Sequence, residues 1–278
     1  IAQCLVGSEM CIRDSTSVTQ TFTYDIANQK FNDKGWSKTG YTLLGWNEER
    51  NATTQKYEVL SGVSNSWINS NSPKVTLYAI WSINSYSLTI NPNGGNWNGT
   101  TANSTIRQNY GTTKTIPNPT PPTGYAVTFN GNGGSTPSAI TSTKSFTSWT
   151  NGGSGTLSGT TYTFRAGNGT LTANYKNNAI TLPATTRTGY TFAGWYDAAS
   201  GGNKIGNASA TYTPSTAKTL YAHWQDKTVP TMGTLTANTT AWTRGNVTLT
   251  GKARDLGSGI SYYQFSTNGG LTASSGGR

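Results

Sequence analysis

The sequence predicts a mainly β protein assembled from tandem repeats, and three observations point there. First, a phrase recurs: Gly40-Tyr41-Thr42-Leu43-Leu44-Gly45-Trp46 runs on to Leu77-Tyr78-Ala79-Ile80-Trp81, and Gly189-Tyr190-Thr191-Phe192-Ala193-Gly194-Trp195 runs on to Leu220-Tyr221-Ala222-His223-Trp224. Matched blocks in one order mark a repeat array, and arrays bind or space more often than they catalyse. Second, Thr is the commonest residue, with Ser, Asn and Gly close behind. Thr and Tyr suit a pleated, half-exposed surface. With nine Trp, fifteen Tyr, seven Phe and only 11% charged residues, the chain is not of the disordered kind. Third, short runs alternate apolar and polar residues, as Tyr86, Leu88 and Ile90 do with Ser87 and Thr89, which is the strand period.

In order along the chain, residues 16–82 read as a first repeat, truncated on its N-terminal side. Phe22 and Tyr24 alternate with Thr21 and Thr23, the Gly-Tyr and Gly-Trp block follows, and residues 47–56 hold a short helix or a loop. Residues 83–175 read as a second repeat, degenerate and carrying an insertion. Within it Asn91-Pro92-Asn93-Gly94-Gly95 and Asn130-Gly131-Asn132-Gly133-Gly134 each follow an alternating strand. With no phosphate-binding Lys and no helix after them, they read as hairpin turns. Pro117, Pro119, Pro121 and Pro122 form a stiff connector that no central strand tolerates. Phe146 and Trp149 stand in for the Gly-Trp element, and residues 171–175 are a weakened closing strand. Residues 176–226 read as the third and most compact repeat. A linker at 226–230 opens the last piece, 227–278, in which 247–250, 255–260 and 262–266 read as strand, turn and strand.

Leu5-Val6-Gly7-Ser8-Glu9-Met10-Cys11-Ile12-Arg13-Asp14 resembles the translation of a sequencing adapter, so residues 1–15 are read as an artefact to be set aside. A clipped secretory signal fits less well, because Glu9, Arg13 and Asp14 interrupt any apolar core. On that reading the chain is a piece of a longer protein.

Composition closes off several chemistries. Cys4 and Cys11 are the only cysteines and both lie in that segment, leaving no thiol for a disulfide, a metal or a nucleophile. No run approaches the roughly 20 apolar residues that span a bilayer. The net charge is +10, but the bases are dispersed, with Lys252 and Arg254 the closest pair. A phosphate-tracking protein concentrates its charge, so nucleic acid is not an expected partner. No carboxylate occurs between Glu58 and Asp197, and Asp25, Asp33, Glu48, Glu49, Glu58, Asp197, Asp226 and Asp255 are scattered. Acid–base pairs and hard-cation sites need carboxylates close together. The single histidine, His223, fills a slot that holds Ile80 and Asn174 elsewhere, so it reads as a strand residue rather than a base. No catalytic, cofactor or metal residue is assigned, and no enzyme activity is expected.

The pairing of Gly-Tyr-Thr-Phe-Ala-Gly-Trp-Tyr with Thr-Leu-Tyr-Ala-His-Trp resembles the Listeria–Bacteroides repeat, also called the internalin B-repeat, over roughly residues 17–226. The resemblance implies small β-grasp-like units with at most one short helix, used in tandem on bacterial surface proteins. From about residue 228 the Val-Thr-Leu-Thr, Asp-x-Gly-Ser-Gly and Tyr pattern resembles part of a bacterial Ig-like sandwich. Alternation puts Leu77 and Trp81, or Leu220 and Trp224, on one strand face and Tyr78 or Tyr221 on the other. Gly40 and Gly45, or Gly189 and Gly194, admit a tight bend beside Tyr41 and Trp46, or Tyr190 and Trp195. Trp46 with Trp81, and Trp195 with Trp224, are expected to form each small core.

The expected role is a non-catalytic repeat region of a bacterial secreted or cell-surface protein, located outside the cell or in its wall. It would act by adhesin-like binding or as a stalk, toward an unidentified host or wall ligand of glycan or protein nature. The alternative is a carbohydrate-binding accessory region of a larger secreted enzyme, for which Trp36, Trp67, Trp97 and Trp242 speak because they lie outside the repeat phrase.

Overall fold

The computed structural model describes residues 2–7, 18–23, 26, 28–31, 36–64, 74–266 and 270–275. Every helix-or-strand element within them is a strand. The short helix allowed for at 47–56 does not form. Asn47 Oδ1 accepts from the Glu49 backbone N–H at 2.9 Å and its Nδ2 donates to Thr54 O at 3.0 Å, a side-chain-held turn that replaces helical bonds.

The first sheet uses β1 (Ala2–Gly7), β2 (Val18–Phe22), β3 (Tyr41–Asn47), β4 (Tyr57–Glu58) and β5 (Lys74–Ile83), in the order β2-β1-β5-β3-β4. β1 runs parallel to β5 and antiparallel to β2, so the adapter-like residues 2–7 occupy the opening-strand position. Phe22, Phe31, Trp46, Val63 and Leu77 form the core, with Trp36, Leu43, Tyr57, Val75 and Ala79 packed on it.

The chain then continues through β6 (Ser85–Asn91), β7 (Ser104–Asn109), β8 (Thr113–Thr115), β9 (Ala126–Asn130) and β10 (Ile140–Thr141). Next come β11 (Lys144–Gly153), β12 (Thr156–Ser158), β13 (Thr161–Thr163), β14 (Gly169–Asn177) and β15 (Ile180–Thr181). β16 (Tyr190–Tyr196), β17 (Lys204–Gly206), β18 (Thr211–Tyr212) and β19 (Lys218–Asp226) complete the repeat region. These strands do not sort in chain order. One sheet is β11-β14-β6-β7 and another is β10-β9-β19-β16-β17. The hairpin β9–β10 thus precedes β11–β14 in sequence, yet it pairs with the later strand β19.

Residue-level detail confirms which strands are equivalent. β6 is parallel to β14 from Leu88↔Gly169 to Asn91↔Thr172, and β9 is parallel to β19 from Val127↔Lys218 to Asn130↔Tyr221. β8–β13 and β15–β18 are small antiparallel ladders in the two halves. After each, Ile116 or Leu182 is fully buried, its N–H bonded to Thr160 O or Ala210 O. One core holds Leu88, Ile90, Trp97, Ile116, Tyr162, Phe164 and Leu171. The other holds Val127, Phe129, Ile180, Leu182, Trp195, Leu220 and Ala222.

Two sequence expectations change here. The segment around Tyr125, Val127 and Phe129, expected inside the second repeat, supplies the opening strand of the sheet that carries Trp195. The closing strand expected to be weak is the nine-residue β14, with Leu171 and Ala173 fully buried. The chain accordingly divides into two compact units, residues 1–120 with 147–174, and residues 121–146 with 175–278.

The last part contains β20 (Thr231–Met232), β21 (Thr236–Ala237), β22 (Leu249–Thr250), β23 (Ala253–Arg254), β24 (Ile260–Ser266) and β25 (Gly270–Ser275). They form three two-stranded ladders, β20–β23, β21–β22 and β24–β25. Val229, Trp242, Val247, Leu249, Leu256, Tyr262 and Tyr263 are exposed, and the three buried clusters all lie before residue 225. Two-stranded ladders without a shared apolar face are marginal by themselves.

Candidate functional site

The repeat phrase builds three features: a bulge, a latch and an aromatic rim. At the bulge, the β3–β5 register slips between Leu43 and Gly45, and the β16–β19 register slips between Phe192 and Gly194. Gly45 has φ +149° and Gly194 +137°, a region that glycine alone adopts freely. A Cβ on Gly45 would lie 2.0 Å from Tyr57 O, so the neighbouring strand β4 fits only against a bare backbone. The bulge turns Trp46 and Trp195 inward, where they are 1% and 0% exposed.

The latch explains Asn-x-Asn-Gly-Gly. Asn93 and Asn132 have φ 49° and 46°, followed by Gly94 and Gly133 at 84° and 88°, the two left-handed positions of a tight turn that opens a longer loop and does not close a hairpin directly. Gly95 N–H donates to Pro92 O, and Gly134 N–H to Gly131 O, both at 2.9 Å. Asn91 and Asn130 each accept the backbone N–H two residues on. The Asn93 side chain then donates to Ala173 O and that of Asn132 to Ala222 O, each at 3.0 Å. Each turn is thereby tied to the closing strand of its own sheet.

The predicted motif residues separate into inner and outer sets. Leu77 and Leu220 are fully buried, Tyr78 and Tyr221 half-buried on the opposite face. Trp224 packs on the core and donates from Nε1 to Gly131 O at 2.9 Å. Trp81 is half-buried outside its cluster, and its Nε1 has no such acceptor among the described residues. Gly40 and Gly189 (φ +81° and +82°) accept from Asn84 N–H at 2.8 Å and Lys227 N–H at 3.0 Å, joining each Gly-Tyr bend to the residue after its closing strand. Lys38 Nζ lies 4.0 Å from the Tyr41 ring centre, and the Arg187 guanidinium 3.8 Å from that of Tyr190, so the copies repeat a cation–π pair.

Around Tyr41, Tyr78 and Trp81 runs a groove of about 510 Å³, also lined by Lys38 and Arg50, with no carboxylate among its lining residues. Of the four Trp residues set aside for glycan binding, Trp36 packs edge-on to Trp46, and Trp97 is buried with Nε1 on Pro117 O at 3.0 Å. Trp195 Nε1 donates likewise to Pro183 O at 2.8 Å, so Trp97 caps a Pro carbonyl from the loop between β6 and β7 as Trp195 does from β16. Trp242 is fully exposed, and Trp67 lies outside the described residues.

Three ionisable residues, His223, Asp226 and Asp255, hold neighbouring backbone, hydroxyl and ring groups. His223 stacks on Tyr196 at 3.8 Å and 8°, with a ring nitrogen 2.9 Å from Ala198 O. Asp226 accepts from the Ser258 and Thr228 backbone N–H groups and the Thr228 hydroxyl; hydrogen bonds from the Ser258 side chain and then from Thr228 hold its carboxyl well below the usual carboxylate range. The Thr228 hydroxyl also lies 2.8 Å from Asp255 Oδ1, which takes the Gly257 N–H. Among the described residues, no three His, Cys, Asp or Glu side chains converge as metal ligands, and no helix is long and apolar enough to cross a membrane.

Sequence reasoning missed the partnership of β9 with β19. The signal was present, because two Asn-x-Asn-Gly-Gly turns precede two closing strands, and each turn needs one.

Comparison with known proteins bears on these features. A protein of Evansella cellulosilytica with the provisional name Gly-rich membrane protein is 33% identical over 102 residues, which are 37% of this chain and 11% of that protein. The chain thus spans a small part of that relative's length. No solved structure matches. The Listeria-Bacteroides repeat domain matches at residues 12–80 and 158–223, stretches that contain both Gly-Tyr and Gly-Trp bulges and the first part of both closing strands. Over those two stretches, just under half of its length, the chain is similar to the Listeria-Bacteroides repeat family.

Proposed function

We propose that the chain is a stalk-like repeat region of a bacterial secreted or cell-wall protein, holding an adhesin-like or other binding part away from the surface. The observation that carries this is the absence of slack at the joints. β5 ends at Ile83 and β6 begins at Ser85, leaving Asn84 alone between two sheets. Asn84 N–H bonds to Gly40 O, and Thr42 Oγ1 donates to Asn84 Oδ1 at 2.7 Å. After β14, Asn178 N–H bonds to Thr143 O, and its side chain donates to Thr143 Oγ1. After β19, Lys227 N–H bonds to Gly189 O. One joint is used three times, and a spacer needs joints that do not collapse. The proposed division is a first repeat to residue 82, an interleaved pair over 83–226 and a partial Ig-like piece from 227.

The test is replacement in a surface-displayed protein. Residues 17–226 are exchanged for a Gly/Ser segment of equal length, which behaves as a random coil. The natural segment is expected to hold a terminal epitope at a greater and narrower distance from the membrane, read by super-resolution distance measurement. Equal reach from both would refute the stalk role.

A carbohydrate-binding accessory role is the second reading, favoured by the groove of Lys38, Tyr41, Arg50, Tyr78 and Trp81. Quenching of Trp fluorescence by an acidic oligosaccharide, lost in Tyr78→Ala with Trp81→Ala, would support it. No quenching by any glycan tested would sink it.

A further inference from the structure

We propose that the repeat region is a load-bearing element, in which each sheet acts as a shear clamp against tension along the chain. The inference deepens the stalk reading but rests on strand direction, which is independent of where the protein is placed. In all three sheets the strand by which the chain comes in lies parallel to, and bonded with, the strand by which it leaves. These pairs are β1 with β5, β6 with β14, and β9 with β19. Tension draws an opening strand toward its N-terminal end and a closing strand toward its C-terminal end. For parallel neighbours those pulls are opposite along one axis, so the ladder bonds are loaded together and must fail together. An antiparallel hairpin pulled from its open ends yields one bond at a time.

Side chains reinforce the two best-defined clamps. The Asn93 latch to Ala173 O and the Asn132 latch to Ala222 O join the turn after the opening strand to the closing strand. Thr128 Oγ1 lies 2.8 Å from Thr219 Oγ1 across the β9–β19 ladder. Buried side chains from both partners, Val127 and Phe129 with Leu220 and Ala222, must slide past one another before the sheet opens. Load passes from β5 into β6 without a loop to absorb it, since Asn84 alone separates them.

Single-molecule force spectroscopy on the full chain, with Cys4 and Cys11 replaced by Ser, tests the clamp in two pulling directions. Attachment at the chain ends shears β9 against β19. Attachment through Thr123→Cys and Ala217→Cys, at the N-terminal ends of both strands, peels them apart. The rupture force for the third sheet is expected to be severalfold higher in the first direction. Asn132→Ala should lower it in that direction and leave the peeling force unchanged, with the circular dichroism spectrum intact. Equal forces in the two directions would overturn the clamp, as would insensitivity of the shear force to Asn132→Ala. A chain that resists shear yet gives no greater reach than the Gly/Ser segment would keep the clamp and refute the stalk. Greater reach with equal forces would do the reverse.

Discussion

Residues 176–226 contain the clearest copy of the repeat phrase, yet in isolation they are expected not to fold. The third sheet takes β9 and β10 from residues 126–141, and removing them uncovers Leu220 and Ala222 along a missing parallel neighbour. Val127 is fully buried and Phe129 is 5% exposed. Each such side chain contributes about 1.5–3 kcal/mol on burial, so their loss costs roughly 3–6 kcal/mol. The β9–β19 ladder bonds add about 0.5–1.5 kcal/mol each. A unit of this size has a total stability of only about 3–8 kcal/mol at 0.05–0.15 kcal/mol per residue. The missing strands therefore account for most or all of it. The assay is Trp fluorescence and hydrogen exchange of the 176–226 polypeptide, alone and with a synthetic peptide of residues 124–142. The polypeptide alone should lack a cooperative transition, and the peptide should restore one with saturable binding. A cooperative transition without the peptide, at the midpoint of the full chain, would refute the interleaved arrangement.

Other substitutions probe single features. Trp195→Ala should destabilise the third sheet by about 3–5 kcal/mol, and Trp224→Ala by less because it is only half-buried, both read as shifts in the chemical-denaturation midpoint. Gly45→Ala should cost more than about 1 kcal/mol, since a left-handed φ and the Tyr57 carbonyl both oppose a Cβ; an unchanged midpoint would show that the bulge relaxes. The depressed Asp226 carboxyl makes the 226–258 junction pH-sensitive in one direction. Its folded value is below its unfolded one of about 3.9, so its contribution is complete above that pH and is lost as pH falls toward the folded value. Hydrogen exchange at Ser258 should rise between about pH 4 and pH 2 in the natural chain, whereas Asp226→Asn should show no such rise.

Much of the fold was legible because local chemistry dictated it. Alternation marked β5, β6, β9 and β19, and Asn-Gly-Gly marked the turns, since few other residues accept two left-handed positions in succession. The buried Trp46 and Trp195 followed from the Gly that precedes each. Trp81 was less legible, because its exposure depends on what packs beyond the strand. The partnership of β9 with β19 spans about 90 residues, and nothing local in Tyr125-Ala-Val-Thr-Phe states which closing strand it will meet. The core positions of Trp36 and Trp97 were hidden for a similar reason: each enters its core from a loop, where periodicity carries no information. The groove that includes Arg50 is likewise built from residues far apart in sequence.

The order in which the strands are made has a consequence for inheritance. In most repeat proteins a copy can be gained or lost by recombination, because each copy closes on itself. Here a crossover that removed residues 84–175 would delete the strand on which 218–221 depend, and one that removed 176–226 would strand β9 and β10 inside a half-empty loop. Neither half is expected to fold alone, so the heritable module is the pair, residues 84–226. Length variation in such an array should therefore occur in steps of whole interleaved pairs or of self-contained repeats like the first, never in halves of a pair.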